Sequence, residues 1–511
     1  MAIYSFSPFG YDGSLVNVEV DLRSGIPAVD IVGLADSCVA GSRERVRSAI
    51  ANSGFEFPSE RILIALSPAD LYKEGSGFNL PVALSILSES EADNMPRSQD
   101  VKVMVMGELE LSGKLRPVRA VYPALSSAVS AGIRYAIIPK GCETAIPKGI
   151  HVEYVEDLRE AYDALVKIDE AESPGTEFEE SATEEEKEMK VEFDDIPEDN
   201  LDSIEGHNGL KFAMAVAVAG RHHLLAYGAP GCGKTMVLQH MSELMPKLLP
   251  EESQSVTRIY SIAGLLSPSK GFKTVRPFRM PHQTTSLEGM CGGGMRCLPG
   301  EISLAHNGVL FLDEAAEFKN SVLQMLRVPL ESNSITLARA GRSTIYPARF
   351  QLVMATSPCP CGNYGSEDRI CLCSAKAVEM YWKKFGGPLL DRVAVRVNCS
   401  KREDGTDFHP VAMLREMIAD AWRRQYKRQG KLNQDLDPGE VMSFIKLDSH
   451  AEKHWQRWTD SHGVSVRATS NILKLARTVQ DMKDDSSEVD DVSLGMALML
   501  HGTTVLEDIQ G

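Results

Sequence analysis

Residues 228–235 read Gly-Ala-Pro-Gly-Cys-Gly-Lys-Thr, and residues 309–314 read Val-Leu-Phe-Leu-Asp-Glu. The first string fits G-x-x-x-x-G-K-[ST], in which glycines let backbone N–H groups close around phosphates. Gly228, Pro230, Gly231, Cys232, Gly233, Lys234, Thr235 and Met236 are therefore the expected nucleotide-binding residues. Lys234 would reach the β- and γ-phosphates, and Thr235 would hold Mg²⁺. The second string is an apolar strand ending in two carboxylates, Asp313 for the metal shell and Glu314 to polarise the attacking water. An apolar strand, Leu224–Tyr227, precedes the glycine loop, and apolar residues at helical spacing follow over Met236–Met245. Strand, loop and helix thus come in the order that phosphate binding requires. The two motifs predict hydrolysis of ATP with Mg²⁺.

Two later arginines extend this chemistry. Arg392 closes Gly387-Pro-Leu-Leu-Asp-Arg392, just before the expected strand Val393–Val397. From there it is placed to offer positive charge to the γ-phosphate of a neighbouring subunit. Arg467 opens a late helix and is expected to reach the γ-phosphate of its own subunit. Either arginine alone reads as a surface ion pair; their order around a phosphate loop favours the catalytic reading.

Three further constellations lie in the same region. Ser334–Ala338 and Ser343–Tyr346 flank Arg339-Ala-Gly-Arg342, which reads as a β-hairpin tipped by two arginines. In a ring, Arg339 and Arg342 would point at the pore and touch a DNA phosphate backbone; the alternative is an exposed, solubilising turn. Residues 267–299 form a basic, glycine-rich insertion, either a mobile loop near substrate or a buried structural loop. Cys359, Cys361, Cys371 and Cys373 form two Cys-x-Cys pairs, either a tetrahedral Zn²⁺ site or reduced thiols.

The elements that must position these groups divide the chain into four. Residues 1–167 alternate strand-like and helix-like segments, giving a mixed α/β domain without a nucleotide loop. Residues 168–199 read as a solvated acidic linker: fifteen acidic residues against two lysines between Asp169 and Asp199 carry most of the net charge of −17. That concentration leaves the rest of the chain able to bind DNA. Residues 200–402 hold the α/β nucleotide core with the Cys-rich loop 359–373, and 403–511 read as a helical lid. No run approaches the ~18 apolar residues of a membrane span. The ten cysteines, with no signal-peptide pattern, point to a reducing, cytoplasmic setting.

Several strings are similar to the YifB/ComM group of magnesium-chelatase-like AAA+ ATPases. They are Gly33-Leu-Ala-Asp36, Ser42-Arg-Glu-Arg-Val-Arg47, Lys73-Glu-Gly-Ser-Gly77, the run from Gly300 to Glu314, Pro347-Ala-Arg-Phe-Gln351 and Pro358-Cys-Pro-Cys-Gly362. The resemblance implies a P-loop AAA+ core with a helical lid, a Lon-protease-like N-terminal domain and a hexameric ring. For ComM proteins it also implies ATP-driven branch migration of DNA. Ser357 stands where the group has a water-orienting amide, and Val393-Ala394 follows Arg392 where the group has an acidic partner. In the N-terminal domain the places of the Lon nucleophile and lysine fall on Gly77 and near Tyr122, so peptidase activity is not expected.

Three functions follow from these readings. The first is a homo-oligomeric motor, a hexamer acting on branched or single-stranded DNA. The second is a magnesium-chelatase-like or MoxR-like ATPase that remodels a protein partner. The third is a nucleotide-binding switch whose turnover Ser357 has slowed. An unidentified protein partner for the N-terminal domain fits each of them.

Overall fold

Leu224–Tyr227 and Val309–Leu312 are buried at every position. Strands with no polar face belong inside a parallel sheet covered by helices on both sides. The computed structural model describes residues 1–33, 42–69, 71, 73, 76–90, 101–171, 189–266, 271–339, 342–365, 369–399, 408–462 and 465–502. Its nucleotide core is a five-stranded parallel sheet, ordered Phe278–Arg279, Val309–Leu312, Gln351–Thr356, Leu224–Tyr227 and Val395–Asn398. Gly228, Asp313 and Ser357 therefore leave the sheet at one carboxyl edge, where open α/β sheets bind ligands.

The late helices Val411–Gln429, Val466–Lys483 and Asp491–His501 share one apolar core with Asn208–Gly220. Buried charge also joins them to the sheet. Asp435 takes the Arg349 guanidinium and stands 3.4 Å from Arg221, whose Nη2 reaches Asn307 at 3.3 Å. Burial and the two arginines act on Asp435 in opposite directions, and the arginines prevail, holding its carboxyl below the usual range.

The N-terminal sheet has seven strands, ordered Ala28–Val32, Arg61–Ser67, Ser14–Arg23, Ala2–Ser7, Lys102–Val105, Tyr135–Pro139 and His151–Val155. It is mixed: the pairs around Ser14–Arg23 are antiparallel and the others parallel. Its first turn docks on the nucleotide core. Tyr11 N–H donates to Thr344 Oγ1 at 3.0 Å, and Arg258 Nε donates to the Tyr11 carbonyl at 2.9 Å. Gly10 has φ +57°, and a Cβ there would lie 2.1 Å from Thr344 Oγ1, so glycine permits this approach. Among the described residues no helix is long and apolar enough to cross a membrane.

Local expectations changed in four places. The helix after the glycine loop is α only over Lys234–Gln239 and tightens to 3₁₀ over His240–Leu244. Ser321–Leu330 reads from its sequence as one helix, but the chain forms two, Asn320–Met325 and Pro329–Ser332, since Pro329 has no N–H to continue the ladder. Val101–Glu110 reads from its sequence as one strand, but pairing stops at Val105 and resumes at Glu108. At Gly107 between them the backbone crosses so close to Leu80 that a Cβ would sit 2.9 Å from its Cδ2.

The acidic linker is the fourth change. The helix Leu158–Ala171 runs into its start, and residues 172–188 lie outside the described ones. Residues 194–199 are exposed, as a solvated linker would be, but 189–193 strap across the core. Met189, Val191 and Phe193 pack against the apolar cluster, Lys247 N–H donates to the Glu192 carbonyl at 2.7 Å, and Arg415 donates to the Asp194 carbonyl at 2.6 Å. The alternating apolar side chains of 189–193 outweigh the charge around them.

Candidate nucleotide site

At the carboxyl edge the chain turns on Gly231 and Gly233, at φ +82° and +83°, where a side chain is strained. Beneath Gly233 lies His207, whose Nε2 would be 2.7 Å from any added Cβ. Gly228 N–H is tied to the Thr356 carbonyl at 3.3 Å, which fixes the loop's root to the neighbouring strand. Lys234 is nearly buried and its ammonium donates to the carbonyls of Gly228 and Ala229 at 2.8 and 3.0 Å. Pro230, Gly231 and Met236 are exposed around it, while Cys232 is half-buried, its Sγ 3.5 Å from the ammonium.

Thr235 and Asp313, 78 residues apart in the chain, meet with Thr235 Oγ1 donating to Asp313 Oδ1 at 2.9 Å. A hydroxyl and a carboxylate at that separation, beside exposed loop N–H groups, fit an Mg²⁺-bound triphosphate. Glu314 is exposed beside them and held at φ +47°, a backbone strain that turns its carboxylate out of line with the strand. Gln283 Nε2 lies 3.4 Å from Glu314 Oε2. The 267–299 insertion thus reaches the expected water-polarising carboxylate. Ser357 is half-buried one residue past the end of its strand.

Much of that insertion is structural. Arg276 is buried, donating to the carbonyls of Pro246 and Asn307 at 2.8 Å each, and Arg279 grips Glu301 through two contacts of 2.7 Å. Its outer part is open to solvent at Leu287 and Met295. Residues 267–270 lie outside the described ones.

Arg392 and Arg467 come together on one carboxylate. Arg392 Nη2 lies 2.9 Å from Glu331 Oε2, and Arg467 Nη2 lies 3.3 Å from Glu331 Oε1. Both arginines line a cavity of about 380 Å³ that also includes His223. His223 stands at the amino end of Leu224–Tyr227, and the phosphate loop leaves the carboxyl end of the same strand, roughly 13 Å away at about 3.3 Å per residue. Arg467 thus lies with Arg392 near the amino end of this strand, whereas the phosphate loop of the same chain leaves the carboxyl end. Ala394, two residues after Arg392, is fully buried and its carbonyl is 3.0 Å from His501 Nδ1.

The arginine hairpin forms as Ser334–Arg339 paired antiparallel with Arg342–Pro347. Residues 340 and 341 at its tip lie outside the described ones, as do 34–36 and 74–75 of the N-terminal strings. Arg339 is exposed. Arg342 is not a free tip residue: its guanidinium lies 3.5 Å over the Phe9 ring. The N-terminal turn thus packs on the hairpin at Arg342.

Cys359, Cys361, Cys371 and Cys373 converge, with all four Sγ atoms within 4.8 Å of one another. Cys359 is buried and Cys361 exposed. Asn363 N–H, then the neighbouring thiols, pull the Cys361 thiol down to about 6.

The comparisons with known proteins agree with this arrangement. The magnesium chelatase subunit ChlI family matches residues 200–406, its ChlI subunit profile residues 18–142 and its C-terminal profile residues 409–501. The YifB protein of Escherichia coli K12 is 36% identical over 497 residues, covering 95% of this chain and 94% of its own. The chain belongs to the YifB/ComM group of magnesium-chelatase-like AAA+ ATPases. Another relative of that group, the competence protein ComM of Haemophilus influenzae, is 36% identical over 491 residues, 94% of each chain. A Mycobacterium tuberculosis protein is 35% identical over 514 residues, 98% of each.

Sequence reasoning missed Gln283, Glu331, Gly362 and His207. Their roles come from contacts across 26 to more than 100 residues, and no local pattern marks them.

Proposed function

We propose that this protein is a homohexameric, ATP-driven motor on DNA, acting as a branch-migration helicase in the cytoplasm. The observation that carries the ATPase part is the meeting of Thr235, Asp313 and Glu314 beside the glycine loop. Lys234 exchanges its two loop carbonyls for phosphate oxygens when a nucleotide enters. Thr235 and Asp313 would hold Mg²⁺, which would supply positive charge to the bound phosphates. Glu314 accepts a hydrogen bond from the water that attacks, and Ser357 offers a hydroxyl nearby. Arg392 and Arg467, gathered on Glu331 at the opposite edge, supply charge to the nucleotide of the next subunit in the ring. A structural Zn²⁺ on the four cysteines belongs to the same reading.

DNA is the substrate favoured by the relative named as a competence protein and by exposed Arg339 on a hairpin beside the core. Remodelling of a protein partner is the second reading. It is favoured by the cover that Phe9 places on Arg342, which leaves the hairpin with less free positive charge than its sequence promises. ATPase rate with and without four-way-junction DNA, at two salt concentrations and beside a Glu314→Gln control, separates them. Salt-sensitive stimulation lost in the control supports the DNA motor, because counterion release marks phosphate contacts. A rate indifferent to DNA supports protein remodelling.

A further inference from the structure

The Cys-rich turn is packed onto the phosphate loop. Gly362, at φ +78°, lies so close to Pro230 that a Cβ would sit 2.6 Å from both Pro230 Cγ and Cδ. Gly362 N–H is held by the Cys359 carbonyl at 2.9 Å, so the position of Cys359 sets where Pro230 is pressed. On the other side, the helix Ala375–Lys383 starts two residues after Cys373. It returns to the same strand ends: Trp382 Nε1 donates to the Pro358 carbonyl at 2.9 Å and the Trp382 ring meets Tyr227 edge-on at 5.7 Å.

Three of the sulfur–sulfur separations are known and near-equal: 3.4 Å for Cys359–Cys361, 3.7 Å for Cys359–Cys371 and 3.6 Å for Cys361–Cys371. A tetrahedron with Zn–S bonds of about 2.3 Å has edges of about 3.8 Å. The cluster is thus preformed to within a few tenths of an ångström, and far too open for disulfides, whose sulfurs are about 2.05 Å apart. Four thiolates with no carboxylate or imidazole select a soft, tetrahedral divalent ion, and they leave no open coordination position for catalysis.

We propose that these cysteines hold one Zn²⁺ whose task is to clasp the phosphate-binding loop, so that nucleotide affinity depends on the metal. The proposal rests on the ATPase reading above. The metal fixes the 359–362 turn, the turn supports Pro230 from behind, and the loop N–H groups stay aimed at the phosphates. Without it, the turn loses the tie that joins Cys359 and Cys361 to Cys371 and Cys373.

Elemental analysis of the full chain gives the metal, and titration with a fluorescent ATP analogue gives affinity. About one zinc per chain is expected in the native protein. Cys361→Ser is expected to lose zinc and weaken nucleotide binding at least tenfold, while Cys399→Ser, outside the cluster, changes neither. Gly362→Ala separates clasp from metal: it should keep zinc and still weaken binding, because a Cβ strained at φ +78° and pressed on Pro230 disturbs the turn without removing a ligand. Absence of zinc, or iron in its place, overturns the site. Zinc lost with affinity unchanged overturns the coupling and leaves the ATPase reading standing. A zinc-loaded native chain that binds no nucleotide overturns the ATPase reading and the coupling together.

Discussion

Arg392 Nη2 stands 2.9 Å from Glu331 Oε2, and the other oxygen of that carboxylate takes Arg467 at 3.3 Å. One anion therefore holds two cations on the edge of the sheet opposite their own phosphate loop. Both should act across a subunit boundary. Arg392→Ala and Arg467→Ala are each expected to lower kcat while leaving ATP affinity within a few-fold, with Arg392→Ala costing on the order of 10³-fold. Mixing either variant with Lys234→Ala subunits should restore part of the rate, since each mixed boundary can pair an intact loop with intact arginines. Complementation by Arg392→Ala but not by Arg467→Ala would return Arg467 to its own subunit.

Gln283 reaches Glu314 from an insertion that is otherwise anchored by Arg276 and Arg279. A carboxylate holding an amide is less free to take the proton side of a water. Gln283→Ala is expected to raise the DNA-free ATPase rate by about fivefold, the worth of one hydrogen bond of about 1 kcal/mol, and to shrink the stimulation by DNA. A basal rate that is unchanged, or that falls, would mean Gln283 supports Glu314 instead of restraining it.

The parts of this site that sequence made legible are the parts with local grammar. Leu224–Tyr227 and Gln351–Thr356 form with the bounds their apolar runs suggest, because glycine or serine-proline ends each run. The helix Asn208–Gly220 went unseen for the opposite reason: ten of its thirteen residues are buried, so it lacks the polar face that gives helical spacing its signal. Glu331 and Gly362 were invisible because their partners lie 61 and 132 residues away, where only the fold sets the distance. Arg342 was legible as a cation but not as a covered one; Phe9, which covers it, lies in the turn between Ala2–Ser7 and Ser14–Arg23 of the other sheet.

That cover separates the two hairpin arginines in experiment. Arg339→Ala should weaken binding to single-stranded and junction DNA alike and lower the salt slope by about one. Arg342→Ala should leave the slope near its native value, because its guanidinium is already spent on Phe9, a contact worth about 0.5–1 kcal/mol. Anisotropy titrations over a series of salt concentrations read both. An Arg342→Ala slope that drops as far as that of Arg339→Ala would mean the hairpin leaves Phe9 when DNA binds.

Histidine protonation limits the acid range of the core. His223 Nδ1 accepts the Leu352 N–H at 3.0 Å and His306 Nδ1 accepts the Arg349 N–H at 3.1 Å, so each ring must be neutral there. Burial pushes both down to about 3, and it pushes His222 and His501 down to about 4. In the unfolded chain the same rings take a proton near pH 6.5. The unfolded state thus binds more protons below that value, and the stabilisation, complete above about pH 6.5, is lost as the pH falls toward 4 and 3. By pH 5 each ring should cost on the order of 1–2 kcal/mol. Thermal melts at pH 7.5, 6.0 and 5.0 should show the transition of the nucleotide core and lid falling steadily below pH 6.5. His306→Asn, although less stable at pH 7.5, should show a shallower fall. A transition that holds its temperature down to pH 5.0 would mean these rings are charged in the fold and the two backbone N–H groups are bonded elsewhere.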